Sequence, residues 1–171
     1  ARRPPIRSAE KKYEKRNAMA KKTKILYIIT GLNTGGVEMM LLRSIEAMSN
    51  RVENVVVSLS DGGTLGVKME AAGAKIYTLE MKKNPFGVLR LYRIIRNEKP
   101  DVIQCKMYHA NLVGGVFSTL AGYKNVFWGI HHTYLDGAKF TTILTNKISA
   151  LLSRVCCKKV VCCGNIARDV C

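Results

Sequence analysis

Six short runs dense in valine and isoleucine recur along the chain. They are Lys24–Thr30, Asn54–Ser60, Lys75–Glu80, Asp101–Cys105, Asn125–Ile130 and Lys159–Cys163. Most do not alternate strictly between apolar and polar residues, which is the pattern of strands buried on both faces. Between them the apolar positions recur with a helical period. Val37, Met40, Leu41, Ile45 and Met48 share one face, with Arg43 and Glu46 elsewhere. Thr64–Ala72 predicts a shorter helix stopped by Gly73. Phe86, Leu89, Tyr92 and Ile94 or Ile95 form the next stripe, which ends before Pro100 because proline disfavours helix at Lys99. Leu112, Val116 and Leu120 mark a fourth helix closed by Gly122. Phe140, Leu144, Ile148, Leu151 and Leu152 mark a fifth, from Ala138 to about Arg154.

Repeated strand–helix units predict an α/β fold: a Rossmann-like, doubly wound parallel sheet with helices on both faces. Ligands of such sheets bind beyond the carboxyl ends of the strands, so the residues that follow strands are the first candidates for function. After the sixth strand, Gly164–Cys171 reads as a helix opening without a body, which leads us to expect a piece of a longer protein.

The first strand runs into Gly31-Leu32-Asn33-Thr34-Gly35-Gly36-Val37-Glu38. The glycines do not fit the dinucleotide spacing G-x-G-x-x-G. Gly31 and Gly36 match the P-loop spacing, but Val37 and Glu38 replace its lysine and hydroxyl, which argues against an ATPase. What remains is a Gly-Gly turn at a helix N-terminus. It reads equally well as an anion site or as a plain strand-to-helix turn. Trp128-Gly129-Ile130-His131-His132-Thr133 closes the fifth strand, where a histidine can hydrogen-bond a ligand or move a proton. After the fourth strand come Met107-Tyr108-His109-Ala110-Asn111. There His109 and Asn111 stand at a helix start, and Asn111 has the alternative role of helix cap.

Charge changes this picture in two places. The net charge is +16, with 28 basic and 12 acidic residues, and half of the excess lies within residues 1–24. Residues 1–21 read as a disordered basic arm or an expression remnant, with no apolar region of a secretory signal. The third helix carries Arg90, Arg93 and Arg96, flanked by Lys82, Lys83 and Lys99. Interleaved with leucine and isoleucine, this is the candidate for an anionic membrane surface, against the alternative of a solvated face. No apolar run approaches the roughly 18 residues that suggest a membrane span. Of the six cysteines, Cys162 and Cys163 are neighbours on a strand and face opposite sides, while Cys157 and Cys162 only loosely fit a zinc spacing. Buried thiols, with no metal, are the better reading.

Taken together, residues 25–38, Pro100-Asp101-Val102-Ile103-Gln104, Met107–Leu112, Trp128–Thr133 and Val160–Cys163 carry a resemblance. In order and spacing they are similar to the N-terminal domain of family-4-type (group 1) glycosyltransferases, over about residues 22–171. The resemblance implies the N-terminal half of a GT-B fold, with the C-terminal donor-binding domain absent from this sequence. It implies a retaining hexosyltransferase that moves a sugar from a nucleotide-sugar donor to a polysaccharide, lipopolysaccharide or glycolipid acceptor. No bound cofactor or metal is expected, and this part alone is expected to be inactive. The resemblance places Gly35 and Gly36 against the donor diphosphate and His131 at the transferred sugar. His109, Asn111 and His132 go to the acceptor side of the cleft. Val37 stands where the family usually has alanine, and Gly164-Asn165 where a serine is common. A cytoplasmic protein, peripheral on the inner face of the membrane, is the expected setting. Two rivals are a basic module for acidic polymers or nucleic acid, and half of another GT-B enzyme such as a sugar-nucleotide 2-epimerase. The nucleic-acid reading is the weaker, since aromatic platforms and a helix-turn-helix signature are lacking.

Overall fold

The computed structural model describes residues 21–84, 86–130, 148–149 and 151–162. In chain order the elements are β1 (Thr23–Ile29), α1 (Gly36–Met48), β2 (Val52–Ser58), α2 (Gly66–Ala71), β3 (Lys75–Thr78), α3 (Gly87–Glu98), β4 (Val102–Lys106), α4 (Tyr108–Leu120), β5 (Val126–Ile130) and β6 (Lys159–Cys162). Residues 148–149 and 151–156 are also helical. All strand pairs are parallel, in the order β3-β2-β1-β4-β5-β6. The expected doubly wound sheet is therefore present.

The doubled apolar character of the strands has a direct cause. Successive side chains point to opposite faces of a sheet. Leu26 and Ile28 face one core with Val55, Val57, Ile103, Cys105 and Trp128, covered by Leu91, Ile94 and Ile95 of α3 and by Ala110 of α4. Tyr27 and Ile29 face the other, with Val56, covered by Leu41, Leu42 and Ile45 of α1 and Met69 of α2. Burial pushes the Tyr27 phenol up. The helix α4 lies unusually close to the sheet. A Cβ on Gly114 would stand 2.6 Å from the Cys105 sulfur, and one on Gly115 2.8 Å from Trp128 Nε1.

Glycine stops the helices where expected. Gly73 and Gly122 take φ of 91° and 86°. Behind them Ala74 N–H donates to Met69 O and Tyr123 N–H to Ser118 O, at 2.9 and 3.0 Å, the bonds of a Schellman ending. Lys99 takes φ 49° before Pro100.

Some boundaries differ from the sequence expectation. The strand β2 begins at Val52 rather than Asn54, because Val52 and Glu53 pair with Thr23 and Lys24. The strand β3 stops at Thr78, and Glu80 turns away with φ 47°. The helix α2 is six residues long, shorter than Thr64–Ala72. The helix α4 starts at Tyr108, four residues before Leu112, because Tyr108, Ala110 and Asn111 are already buried. Among the described residues no helix is long and apolar enough to cross a membrane.

At the amino ends of the strands sits a charged cluster. Glu98 is buried and accepts hydrogen bonds from Lys75 Nζ at 2.7 Å, Lys24 Nζ at 3.1 Å and the Tyr77 hydroxyl at 2.5 Å. Lys24 also pairs with Glu53 at 2.8 Å. Burial alone would push the Glu98 carboxyl up. The hydrogen bonds from Lys75, Tyr77 and Lys24 overcome it and hold the carboxyl at about 2. This cluster lies at the end of the sheet opposite the strands' carboxyl ends, so we assign it to stability.

Candidate functional site

In this strand order the chain reverses direction across the sheet between β1 and β4. Connections leave β1 and β4 to opposite sides there, which opens a crevice outside their carboxyl ends. Ile29, Lys106 and Gly129 stand side by side in register at that end.

One wall is the loop from β1 to α1. It is fixed from behind by the loop after β2. Leu59 N–H donates to Ile29 O at 2.9 Å, Ser60 N–H to Thr30 O at 3.1 Å, and Leu65 N–H to Leu32 O at 2.9 Å. The Thr34 and Thr64 hydroxyls meet at 3.0 Å. Leu32 is fully buried beneath the loop. Gly63 explains how the two loops come so close. Its φ is +49°, and an added Cβ would strike the Leu32 carbonyl and stand 2.7 Å from Asn33 N. Only glycine fits both conditions.

The front of this loop is open. Asn33, Thr34 and Gly36 are exposed. Gly35 is the N-cap of α1 in extended backbone, no side chain caps the helix, and Met39 N–H donates to Gly35 O at 2.9 Å. The Glu38 carboxylate folds back over Gly35. Around Gly36 a Cβ would meet nothing within 4 Å. Its backbone is not left-handed either, so nothing in the described chain itself demands glycine there.

The opposite wall is the turn from β4 into α4. Met107 takes φ 77° and ψ 153°, a strained setting for a residue with a side chain. Its N–H donates to Gly129 O at 3.3 Å. His109 is exposed on the first turn of α4. Asn111 is 1% exposed. It does not cap the helix, because Met107 holds the cap position and Asn111 N–H donates to Met107 O at 2.8 Å. Its side-chain amide instead donates to Gly129 O at 3.2 Å, tying α4 to the end of β5. Among the described residues, Asn111 Oδ1 and Thr30 Oγ1 are buried with no hydrogen-bond partner.

So Gly35, Gly36 and His109 stand at the carboxyl end of the sheet, on the turns that follow β1 and β4, and Asn111 is buried behind the second of them. His131 and His132, which follow β5 in sequence, lie outside the described residues. The three arginines occupy a different surface, the outer side of α3. All three are exposed, and Arg90 Nη1 also donates to Thr78 O at 3.1 Å at the edge of the sheet. Among the described residues no three His, Cys, Asp or Glu side chains gather as a metal site. Cys105, Cys156, Cys157 and Cys162 are free thiols, and burial pushes those of Cys105 and Cys157 up. Sequence reasoning missed Lys106 and Met107 at the end of β4, and Gly63 behind the loop. The first two were detectable only as the residues next to a strand's carboxyl end.

The model of the family described as Glycosyltransferase Family 4 matches residues 34–171, most of the chain. The chain belongs to glycosyltransferase family 4. In this family 4 domain the crevice just described is the candidate site. No curated protein matches significantly. Solved structures share the fold. Anabaena Alr3699/HepE in complex with UDP is similar over 86% of this chain and 39% of its own, at TM-score 0.68 and 16% identity. The same protein in complex with UDP-glucose gives 0.67 and 17%, over 85% and 39%. Acinetobacter baumannii MurG gives 0.56 and 15%, over 84% of this chain and 42% of its own. The family 4 chain thus spans about two fifths of each of these structures. Its Rossmann-like sheet is an N-terminal GT-B domain.

Proposed function

We propose that this domain is the acceptor-side half of a retaining glycosyltransferase. The enzyme moves a sugar from a nucleotide-sugar to a hydroxyl of a polysaccharide, lipopolysaccharide or glycolipid acceptor. A second Rossmann-like half of the same protein supplies the donor pocket, and the 171 residues alone do not turn over. The observation that carries this reading is the crevice at the β1–β4 reversal, with an open glycine turn on one wall and His109 on the other.

Gly35 and Gly36 let a diphosphate reach the first backbone N–H groups of α1, where the helix dipole favours negative charge. Among the described residues none comes near the Gly36 Cβ position, which fits a space open to such a group. HepE has been solved with UDP and with UDP-glucose, which favours a uridine nucleotide as the first donor to try. In this reading His109, exposed on the first turn of α4, meets the acceptor hydroxyl. Asn111 braces the wall rather than reaching out of it. His131 is assigned to the transferred sugar on the strength of the sequence resemblance. Neither a metal nor a cofactor is invoked.

The test is made on the natural protein extended past Cys171, with UDP and UDP-glucose titrated by calorimetry and sugar transfer followed by mass spectrometry. The extended protein is expected to bind the nucleotide, and Gly36→Val to weaken binding by about tenfold through steric block of the diphosphate. A natural stop codon directly after Cys171, or unchanged binding in Gly36→Val, overturns the reading.

A further inference from the structure

A cavity of about 270 Å³ opens at the β3 edge of the sheet, two strands away from β1. It is lined by Gly62 of the loop after β2, Gly66 and Glu70 of α2, Ile76 and Thr78 of β3, and Arg90 of the first turn of α3. Arg90 is held in place there, because its Nη1 donates to Thr78 O at 3.1 Å. That bond uses one of the five guanidinium N–H groups and leaves most of the fork for a ligand. Among the described residues Arg90 and Glu70 form no ion pair, with each other or with any other group. A cation and a carboxylate therefore line one cavity without neutralising each other.

Gly62 keeps this space open. It is not among the glycines of positive φ, so its backbone makes no demand for glycine. A Cβ there would meet only Thr78 Cγ2, at 3.8 Å, an ordinary contact, and a longer side chain would extend into the cavity. The volume falls just short of the roughly 300–1,000 Å³ of drug-sized sites, so the occupant is small. A guanidinium fork matches a carboxylate or phosphate. An ionised Glu70 only accepts hydrogen bonds, so it requires hydroxyl or ammonium donors and repels a bare anion. Ile76 adds an apolar wall. One small molecule that carries an anionic group and several hydroxyls meets all three conditions.

We propose that this cavity binds an acidic sugar, with its carboxylate or phosphate on Arg90 and its hydroxyls on Glu70. The sugar stands directly behind the glycine loop, since Gly63 lines the cavity and also abuts Leu32 and Asn33. The same chemistry has two sources: an acidic residue of an acceptor glycan, or a free sugar acid or sugar phosphate. The first source rests on the transferase reading; the binding site does not.

The experiment titrates the full 171-residue chain with glucuronate, glucose 1-phosphate, glucose and inorganic phosphate, followed by calorimetry and by backbone amide NMR. Glucuronate and glucose 1-phosphate are expected to bind and to shift the amides of Gly62, Gly63 and Gly66. Glucose lacks the anion and inorganic phosphate lacks the hydroxyls, so each is expected to bind about tenfold more weakly or worse. Arg90→Gln is expected to weaken both acidic sugars by about tenfold, the effect of losing a charged hydrogen-bond pair. Gly62→Leu fills the cavity and abolishes binding, while circular dichroism checks that it stays folded. Arg93→Gln, on the same helix but outside the cavity, leaves binding unchanged. No binding of either acidic sugar, equal binding of inorganic phosphate, or unchanged binding in both Arg90→Gln and Gly62→Leu overturns the proposal. So do amide shifts confined to residues 33–38, which place the sugar in the crevice instead. Tighter binding of a glucuronate-containing oligosaccharide than of glucuronate supports the acceptor source, and equal or weaker binding supports the free sugar. UDP binding by the extended protein is measured in parallel. Acidic sugars that bind as described while UDP does not remove the transferase reading and leave the cavity site intact.

Discussion

Replacing Glu98 by glutamine keeps the shape of the side chain and removes its charge. The folded carboxyl is held at about 2, against an ordinary value of 4.5. Because the folded value is the lower one, the contribution to stability is complete above pH 4.5 and is lost as pH falls through 2. The difference of about 2.5 units corresponds to roughly 3 kcal/mol as an upper figure, at 1.36 kcal/mol per unit. Glu98 itself is 7% exposed, but Lys75 is 59% and Glu53 51% exposed, so water reaches the cluster. Screening of that kind reduces the realised effect to about 1–2 kcal/mol. Glutamine still accepts from Tyr77, which keeps the loss at the lower end. For a domain of this size the melting temperature should fall by about 3–6 °C at pH 7. The assay is thermal denaturation followed by circular dichroism from pH 7 down to pH 2. Wild type and Glu98→Gln should differ at neutral pH and converge toward pH 2. Equal melting at pH 7 would show that the cluster adds no net stability, and offset curves that stay parallel down to pH 2 would show that the Glu98 charge is not its source.

Other substitutions probe the packing around the site. Gly115→Ala should destabilise by about 1–3 kcal/mol in urea titrations, because its Cβ meets the Trp128 ring. Helix propensity alone would stabilise by about 1 kcal/mol, so the sign of the change decides between the two effects. Gly63→Ala should cost about 2 kcal/mol or more by the same measurement, since it is strained at φ +49° and collides with Leu32. It should also weaken UDP binding in the extended protein by displacing the glycine loop. Cys105, buried with its thiol pushed up, should resist a thiol reagent at neutral pH and react once urea unfolds the chain, as read by peptide mapping.

The sheet was legible because its strands are apolar on both faces, and each helix announced itself by a stripe or a closing glycine. Errors arose where the local signal was weak. Val52 and Glu53 look like a polar turn yet pair with β1. His109 and Asn111 mark a helix start in the sequence, with Asn111 a candidate cap, yet Met107 holds the cap and both lie in the first turn of α4. Gly35 and Gly36 stood out because a glycine pair after a strand is conspicuous by itself. Gly63 did not, since its reason lies in Leu32, a residue distant in sequence. Glu98 was invisible for the same cause: Lys24, Lys75 and Tyr77 come to it from 74, 23 and 21 residues away. The arginines showed as a periodic stripe, and all three are exposed, but only the fold shows that Arg90 also donates to Thr78 O.

The contact of Gly63 with Leu32 makes the first loop one-sided. Its back is locked to a neighbour that tolerates no larger residue, while its front, at Asn33 and Gly36, meets none of the described residues closely. Sequence change on the locked side, Thr34 on Thr64 included, costs stability; change at Asn33 or Gly36 does not. A lineage adapting this domain to new ligands would therefore vary the front of the loop first and leave the frame behind it untouched.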